Sequence, residues 1–83
     1  MELKDTIELM SSEDYKERSK AEYYQTKIRC NKLFSMLVKY ENGMLNFIPN
    51  CDTIILRKQF KAMRTYLECL EERAVIEEIE LDK

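Results

Sequence analysis

Apolar positions along the chain recur at alternating steps of four and three. Ser19, Tyr23, Thr26, Cys30, Leu33, Leu37, Tyr40 and Met44 make one such series, and Leu56, Phe60, Met63, Leu67, Leu70 and Ala74 a second, flanked by Tyr66. Each is a heptad seam, the spacing that holds one helical stripe against a partner. The breakers collect between the two, in ENGMLNFIPNCD, where Asn42-Gly43 reads as a helix C-cap and Pro49 lies outside both helices. The pattern predicts an all-α single domain: an arm or short helix over 1–10, a helix over 11–42, a loop over 43–51 and a helix over 52–81. The first helix is expected to start at Ser11 or Ser12, with Ser11 and Asp14 in an N-cap to N3 relation, and Asn50 to Asp52 offers the cap of the second. A short connection makes the two helices antiparallel, which sets Leu37 near Phe60, Leu33 near Met63 and Tyr23 near Ala74.

The seams leave apolar residues over. Ala21, Tyr24 and Ile28 form a patch off the first stripe, and Ile54, Val75, Ile76 and Ile79 lie off the second. A two-helix hairpin has one internal seam, so this second surface predicts either oligomerisation or cover from a docked N-terminal arm. A chain of 83 residues buries too little surface for a deep core, which favours the oligomer.

Composition narrows the chemistry. There is no histidine and only one glycine, Gly43, so neither the usual catalytic base nor a phosphate-cradling glycine loop can be assembled, and no catalysis is expected. Cys30, Cys51 and Cys69 form no C-x-x-C pair and read as reduced thiols; no metal site and no cofactor is expected. No apolar run approaches the roughly 18–20 residues that span a bilayer, and MELKDTIELM lacks the basic-then-apolar order of a signal peptide. The expectation is a soluble protein of the cytoplasm.

A net charge of -2 conceals strong segregation. Residues 15–39 hold seven cations against Glu17 and Glu22; residues 57–64 hold Arg57, Lys58, Lys61 and Arg64 with no acid; residues 68–82 hold seven acids against Arg73. In the second helix this order opposes the helix dipole. Arg57, Lys61 and Arg64 share a stripe that suits an anionic partner or the acidic tail of a neighbouring protomer. Tyr24 projects from the second apolar patch, and Tyr15, near the helix start, is followed by Lys16, Arg18 and Lys20. Such rings and cations suit nucleotide stacking and phosphate neutralisation, or interface packing with the hydroxyl at the edge. The acidic overall balance disfavours DNA.

DYKERSKAEYYQTKIRCNKL and QFKAMRTYLECLEERAVIEEIEL, with Gln59, Met63 and Tyr66 in a Gln-x-x-x-Met-x-x-Tyr spacing, resemble a family of small helical proteins carried by phages and prophages of gut Firmicutes. These are related to a crAss-like phage protein and share the helical hairpin of anti-CBASS and anti-Thoeris proteins. The resemblance covers roughly residues 5–81. It implies a viral sponge acting in the host cytoplasm: a homo-oligomer, with a hexamer as the implied state, that captures cyclic di- or trinucleotide immune messengers in inter-protomer pockets without cleaving them. The site residues it suggests are Tyr15, Arg18, Lys20, Tyr24, Lys27 and Arg29 for one pocket and Arg57, Lys61 and Arg64 for a second. It also implies an aromatic where Ser19 and Cys30 stand, Pro where Asp52 stands and Gly where Glu78 stands. The competing expectation is a protein-binding inhibitor, of the anti-CRISPR kind or another that acts on a host defence protein.

Overall fold

The computed structural model describes residues 1–81. A 3₁₀ turn, Leu3–Thr6, runs into a single α-helical turn, α1 (Ile7–Met10), followed by two long helices, α2 (Tyr15–Glu41) and α3 (Thr53–Ile76). No strand occurs among the described residues. The all-helical hairpin expected from the seams is present, with the N-terminal segment as a helical arm rather than an open strand of chain.

The start of α2 differs from expectation. Asp14, not Ser11 or Ser12, is the N-cap, and its carboxylate accepts from the Lys16 amide at 3.0 Å. The serines are used just upstream. The Ser11 and Ser12 amides close the arm on the Ile7 and Leu9 carbonyls, and the Ser12 hydroxyl accepts from the Asp14 amide at 3.1 Å. Two helix ends meeting within four residues leave no room for α2 to begin earlier. α3 begins as expected, after Asp52, whose carboxylate accepts from the Ile54 amide at 2.9 Å.

The end of α3 is a second correction: it stops at Ile76, not Leu81. Glu78 adopts φ 56°, and the Ile79 amide turns back onto the Ala74 carbonyl at 2.8 Å. This is a Schellman closure, with Ile79 buried as its hydrophobic partner. α2 ends the same way, the Met44 amide reaching the Lys39 carbonyl at 2.8 Å across Gly43 at φ 67°. The same left-handed position is therefore held by glycine in one helix and by glutamate in the other. Asp82, counted with the acidic tail, lies outside the described residues.

Where the seam is tightest, Tyr23, Tyr24 and Cys30 of α2 pack on Leu67 and Leu70 of α3, with Leu9, Phe60, Met63 and Leu81 against them. Ser19 and Tyr23 face Ala74 across a cavity of about 10 Å³. Toward the loop the seam empties: Leu37 is buried, but Tyr40 and Met44, which continue the heptad, are exposed. Phe34, outside the heptad, stacks on Phe60 at 5.2 Å between centroids. Arg57 closes this end on Glu41 at 2.8 Å.

The second apolar patch divides. Ala21 and Tyr24 are buried, with the arm packed on α2 and fixed there by Thr6. Thr6 is fully buried, donates to the Leu3 carbonyl at 2.7 Å and accepts from Gln25 Nε2 at 3.0 Å. Ile79 is buried within the turn that follows α3, whereas Ile54, Val75 and Ile76 remain exposed.

Two outcomes are expected. Glu78→Gly relieves a left-handed side chain and raises stability by about 0.5–1 kcal/mol, whereas Gly43→Ala, with open space around its Cβ, lowers it by about 1 kcal/mol through backbone strain alone; urea titration distinguishes the signs. Gln25→Ala removes the bond to Thr6 and costs about 1 kcal/mol, with amide exchange accelerated in residues 3–10 and unchanged in α3.

Candidate functional site

The i, i+4 ridges of the two long helices do not close fully on each other. Between them runs an open groove of about 340 Å³. One wall is Tyr23, Lys27, Asn31 and Phe34 from α2; the other is Phe60, Arg64, Glu68 and Glu71 from α3; Cys30 and Leu67 form the floor. The Phe34 and Phe60 rings lie 27° from parallel and cap the loop end. At the other end the Tyr23 hydroxyl meets Glu71 Oε2 at 3.4 Å.

Lys27 Nζ lies 5.5 Å from the Tyr23 ring centroid, a cation–π contact that holds the ammonium over the groove. On the far side of this ridge is a second groove of about 400 Å³, lined by Met1, Tyr24, Lys27, Ile28 and Asn31. Tyr24 meets Tyr23 edge to face, with centroids 5.7 Å apart, so Lys27 and Asn31 stand between two aromatic-walled depressions.

Two groups in the first groove are displaced in pKa. Burial first, then the Glu71 carboxylate as charge and hydrogen-bond acceptor, then Tyr24, hold the Tyr23 phenol above its ordinary value of 10.0. Burial likewise raises the Cys30 thiol above 9.0, the Arg64 guanidinium pulling in the opposite direction. Both groups therefore remain neutral at physiological pH. The groove offers neutral hydroxyl, thiol and carboxamide groups, three aromatic rings, two cations and two carboxylates. That set can stack on planar rings and bind anionic groups. Among the described residues no group of His, Cys, Asp and Glu could hold a metal.

The residues expected for the first pocket are dispersed. Lys27 lines both grooves and Tyr24 the arm-side one, but Tyr15, Arg18, Lys20 and Arg29 line neither. Tyr15 is the exposed first residue of α2, Arg18 donates to the Ser12 carbonyl at 2.7 Å, Lys20 is half-buried and Arg29 faces solvent. The second set splits. Arg57 and Lys61 border a shallow depression with Ile54 and Lys58, while Arg64 turns into the interhelical groove. Asn31, Phe34, Glu68 and Glu71 were not anticipated as groove residues. The signal for Asn31 and Glu68 is the ridge spacing of four from Tyr23 through Lys27 to Asn31, and from Phe60 through Arg64 to Glu68, with Phe34 and Glu71 three residues beyond, which a search for alternating fours and threes passes over.

An all-helical hairpin with an open groove walled by aromatic and charged side chains defines the class: a small protein built on two packed helices. The Sequestin family model matches residues 13–76, which takes in all of α2 and α3, and the chain belongs to the Sequestin family. That membership agrees with the sponge-type resemblance of the two helix sequences, and the family's name is that of a sequestering protein. No curated protein and no solved structure matches the chain. Among the described residues no helix is long and apolar enough to cross a membrane.

Thiol and alkaline titrations test the groove's floor. Cys51, exposed just ahead of α3, is expected to react rapidly with a disulfide reagent, and buried Cys30 only on unfolding. Tyr23 keeps its proton in the fold to higher pH than in the unfolded chain, where phenols ionise near 10.0. Above that pH the unfolded state binds fewer protons, so stability present below pH 10 falls as pH rises through the folded value. Glu71→Gln removes the carboxylate charge and moves the Tyr23 absorbance titration to lower pH.

Proposed function

We propose that this Sequestin captures a nucleotide-class immune messenger, a cyclic di- or trinucleotide, and withholds it from its receptor without chemistry, as a phage anti-defence protein. The observation that carries the reading is the groove in which Lys27 and Arg64 stand between Tyr23 at one end and the Phe34–Phe60 pair at the other. Rings of this kind stack on bases, and the two cations face where phosphates would lie. Glu68 and Glu71 add acceptors for base amino groups and disfavour a polyanion, which is consistent with a small ligand rather than nucleic acid.

A volume of about 340 Å³ lies at the lower end of the range for small-molecule sites, and the groove is open along one side. One hairpin therefore covers one face of a cyclic dinucleotide, and a second copy supplies the other. This supports pockets formed between protomers, in an oligomer for which the hexamer implied by the resemblance is one form. The sugar–phosphate ring would be held by burial and charge, and the messenger released intact. The cytoplasm is where such a messenger would be met.

An alternative, an inhibitor that docks on a host defence protein, is favoured by one observation: Met44, Phe47, Ile48 and Ile54 expose apolar side chains in and beside the hairpin loop.

Thermal unfolding with a panel of cyclic di- and trinucleotides and cyclic ADP-ribose isomers decides between them. A messenger at about 100 times its Kd adds nearly 3 kcal/mol. The expected result is a large shift with one panel member, lost in Lys27→Ala and Arg64→Ala and kept in Tyr15→Ala. No shift across the panel overturns the messenger reading and directs attention to the loop, to be probed by pull-down with Ile48→Ser as the control.

A further inference from the structure

The outer face of α3 carries a pattern that neither the fold nor the groove uses. On the side opposite Phe60, Met63, Leu67, Leu70 and Ala74, a helix of 3.6 residues per turn places Ile54, Lys58, Thr65, Glu72 and Ile76, with Lys61, Ala62, Glu68 and Cys69 beside them. All nine are exposed, Ile54 at 70% and Ile76 at 80%. Lys58, Lys61, Glu68 and Glu72 make no ion pair within the described residues.

The order of these residues is charge-complementary about its centre. Counting outward from Thr65, Ala62 and Glu68 stand three residues away and Lys61 and Cys69 four, so each side carries one small and one charged residue. Lys58 and Glu72 stand equally far from the centre, and Ile54 and Ile76 end the face. Within one helix the arrangement is unfavourable: Glu68 and Glu72 repel at i, i+4, and the cations sit toward the positive end of the dipole.

We infer that α3 pairs with α3 of a second copy, antiparallel, about a two-fold axis passing beside Thr65. A two-fold contact requires that if residue i meets residue j, then j meets i. The outer pairs of this face meet that condition in one register, and the inner charged pair meets it to within one residue. Ile54 lies on Ile76 of the second copy, Lys58 on its Glu72, Lys61 beside its Glu68, and the two Thr65 residues meet at the crossing. The Thr65 hydroxyl is already satisfied by the Lys61 carbonyl at 3.2 Å, so its contact with the axis leaves no polar group stranded. Ala62, Thr65 and Cys69 are small enough for the close approach a helix crossing requires. A partner of different sequence would need complementary charge but gives no reason for the symmetry. Because Glu68 also borders the interhelical groove, the register brings Lys61 of the second copy to that groove's rim. Each hairpin thus adds a cation to its partner's groove.

The test is made without nucleotide, so it stands whatever the groove holds. Sedimentation equilibrium of the wild type is expected to give an even multiple of the 10.0 kDa chain mass. Lys58→Glu with Lys61→Glu makes the face wholly acidic, and Glu68→Lys with Glu72→Lys makes it wholly basic. Each double variant is expected to weaken the pairing by roughly tenfold or more, and an equimolar mixture of the two to restore it, which also shows that both fold. Thr65→Cys, in a Cys51→Ser, Cys69→Ser background, is expected to cross-link as a dimer on mild oxidation. A wild-type mass of one chain, masses unmoved by charge reversal, or a Thr65→Cys variant that stays monomeric on oxidation would each overturn the inference.

Discussion

Everything in this molecule is referred to the packing of Tyr23, Tyr24 and Cys30 on Leu67 and Leu70. α2 is the only element that touches both others among the described residues: the arm lies along it on one side and α3 on the other. The two tyrosines, adjacent in sequence and set edge to face, serve the two contacts separately. Tyr23 reaches across to Glu71 of α3, and Tyr24 lies toward the arm. A helix that must bury neighbours on two sides presents its ridges, not its seam, to solvent between them. That is where Lys27 and Asn31 emerge.

The groove follows from the way the seam runs out. Near Ala74 the side chains are small and the helices close to a cavity of only about 10 Å³. Farther along, Phe34, outside the heptad, meets Phe60 ring on ring and holds the ridges apart. The same large side chains that end tight packing thereby furnish the aromatic wall of the groove. Burial keeps the hydroxyl and thiol of the groove neutral. The charges left facing a ligand are those of Lys27, Arg64, Glu68 and Glu71.

The helices, their antiparallel order and most of the seam were legible because each rests on local periodicity and on a loop that holds the only glycine and proline. The start of α2 was less so: Ser12 and Asp14 are both good caps, and the arm's own closing hydrogen bonds decide between them. The end of α3 was obscured because Glu78 stands in a left-handed position that glycine normally marks. The arm's docking on Ala21 and Tyr24 left two explanations for one apolar patch, since periodicity records that a face is buried and not by what. Of the expected site residues, Lys27 and Arg64 converge because they share opposing ridges. Tyr15, Arg18, Lys20 and Arg29 point around the helix, and nearness in sequence concealed their separation.

The hydrogen bond from Gln25 to Thr6 spans only 19 residues. Among the described residues the arm's contacts with the long helices lie on α2, so the arm–α2 contact can form before the first residue of α3 is reached. Chain closure over so short a distance is rapid and carries a small entropic penalty. During synthesis, the patch that would otherwise expose Ala21 and Tyr24 is covered while α3 is still being made. The hairpin's longest-range contacts then form on a surface already half assembled, and the interval in which a nascent helix could associate with the wrong neighbour is shortened.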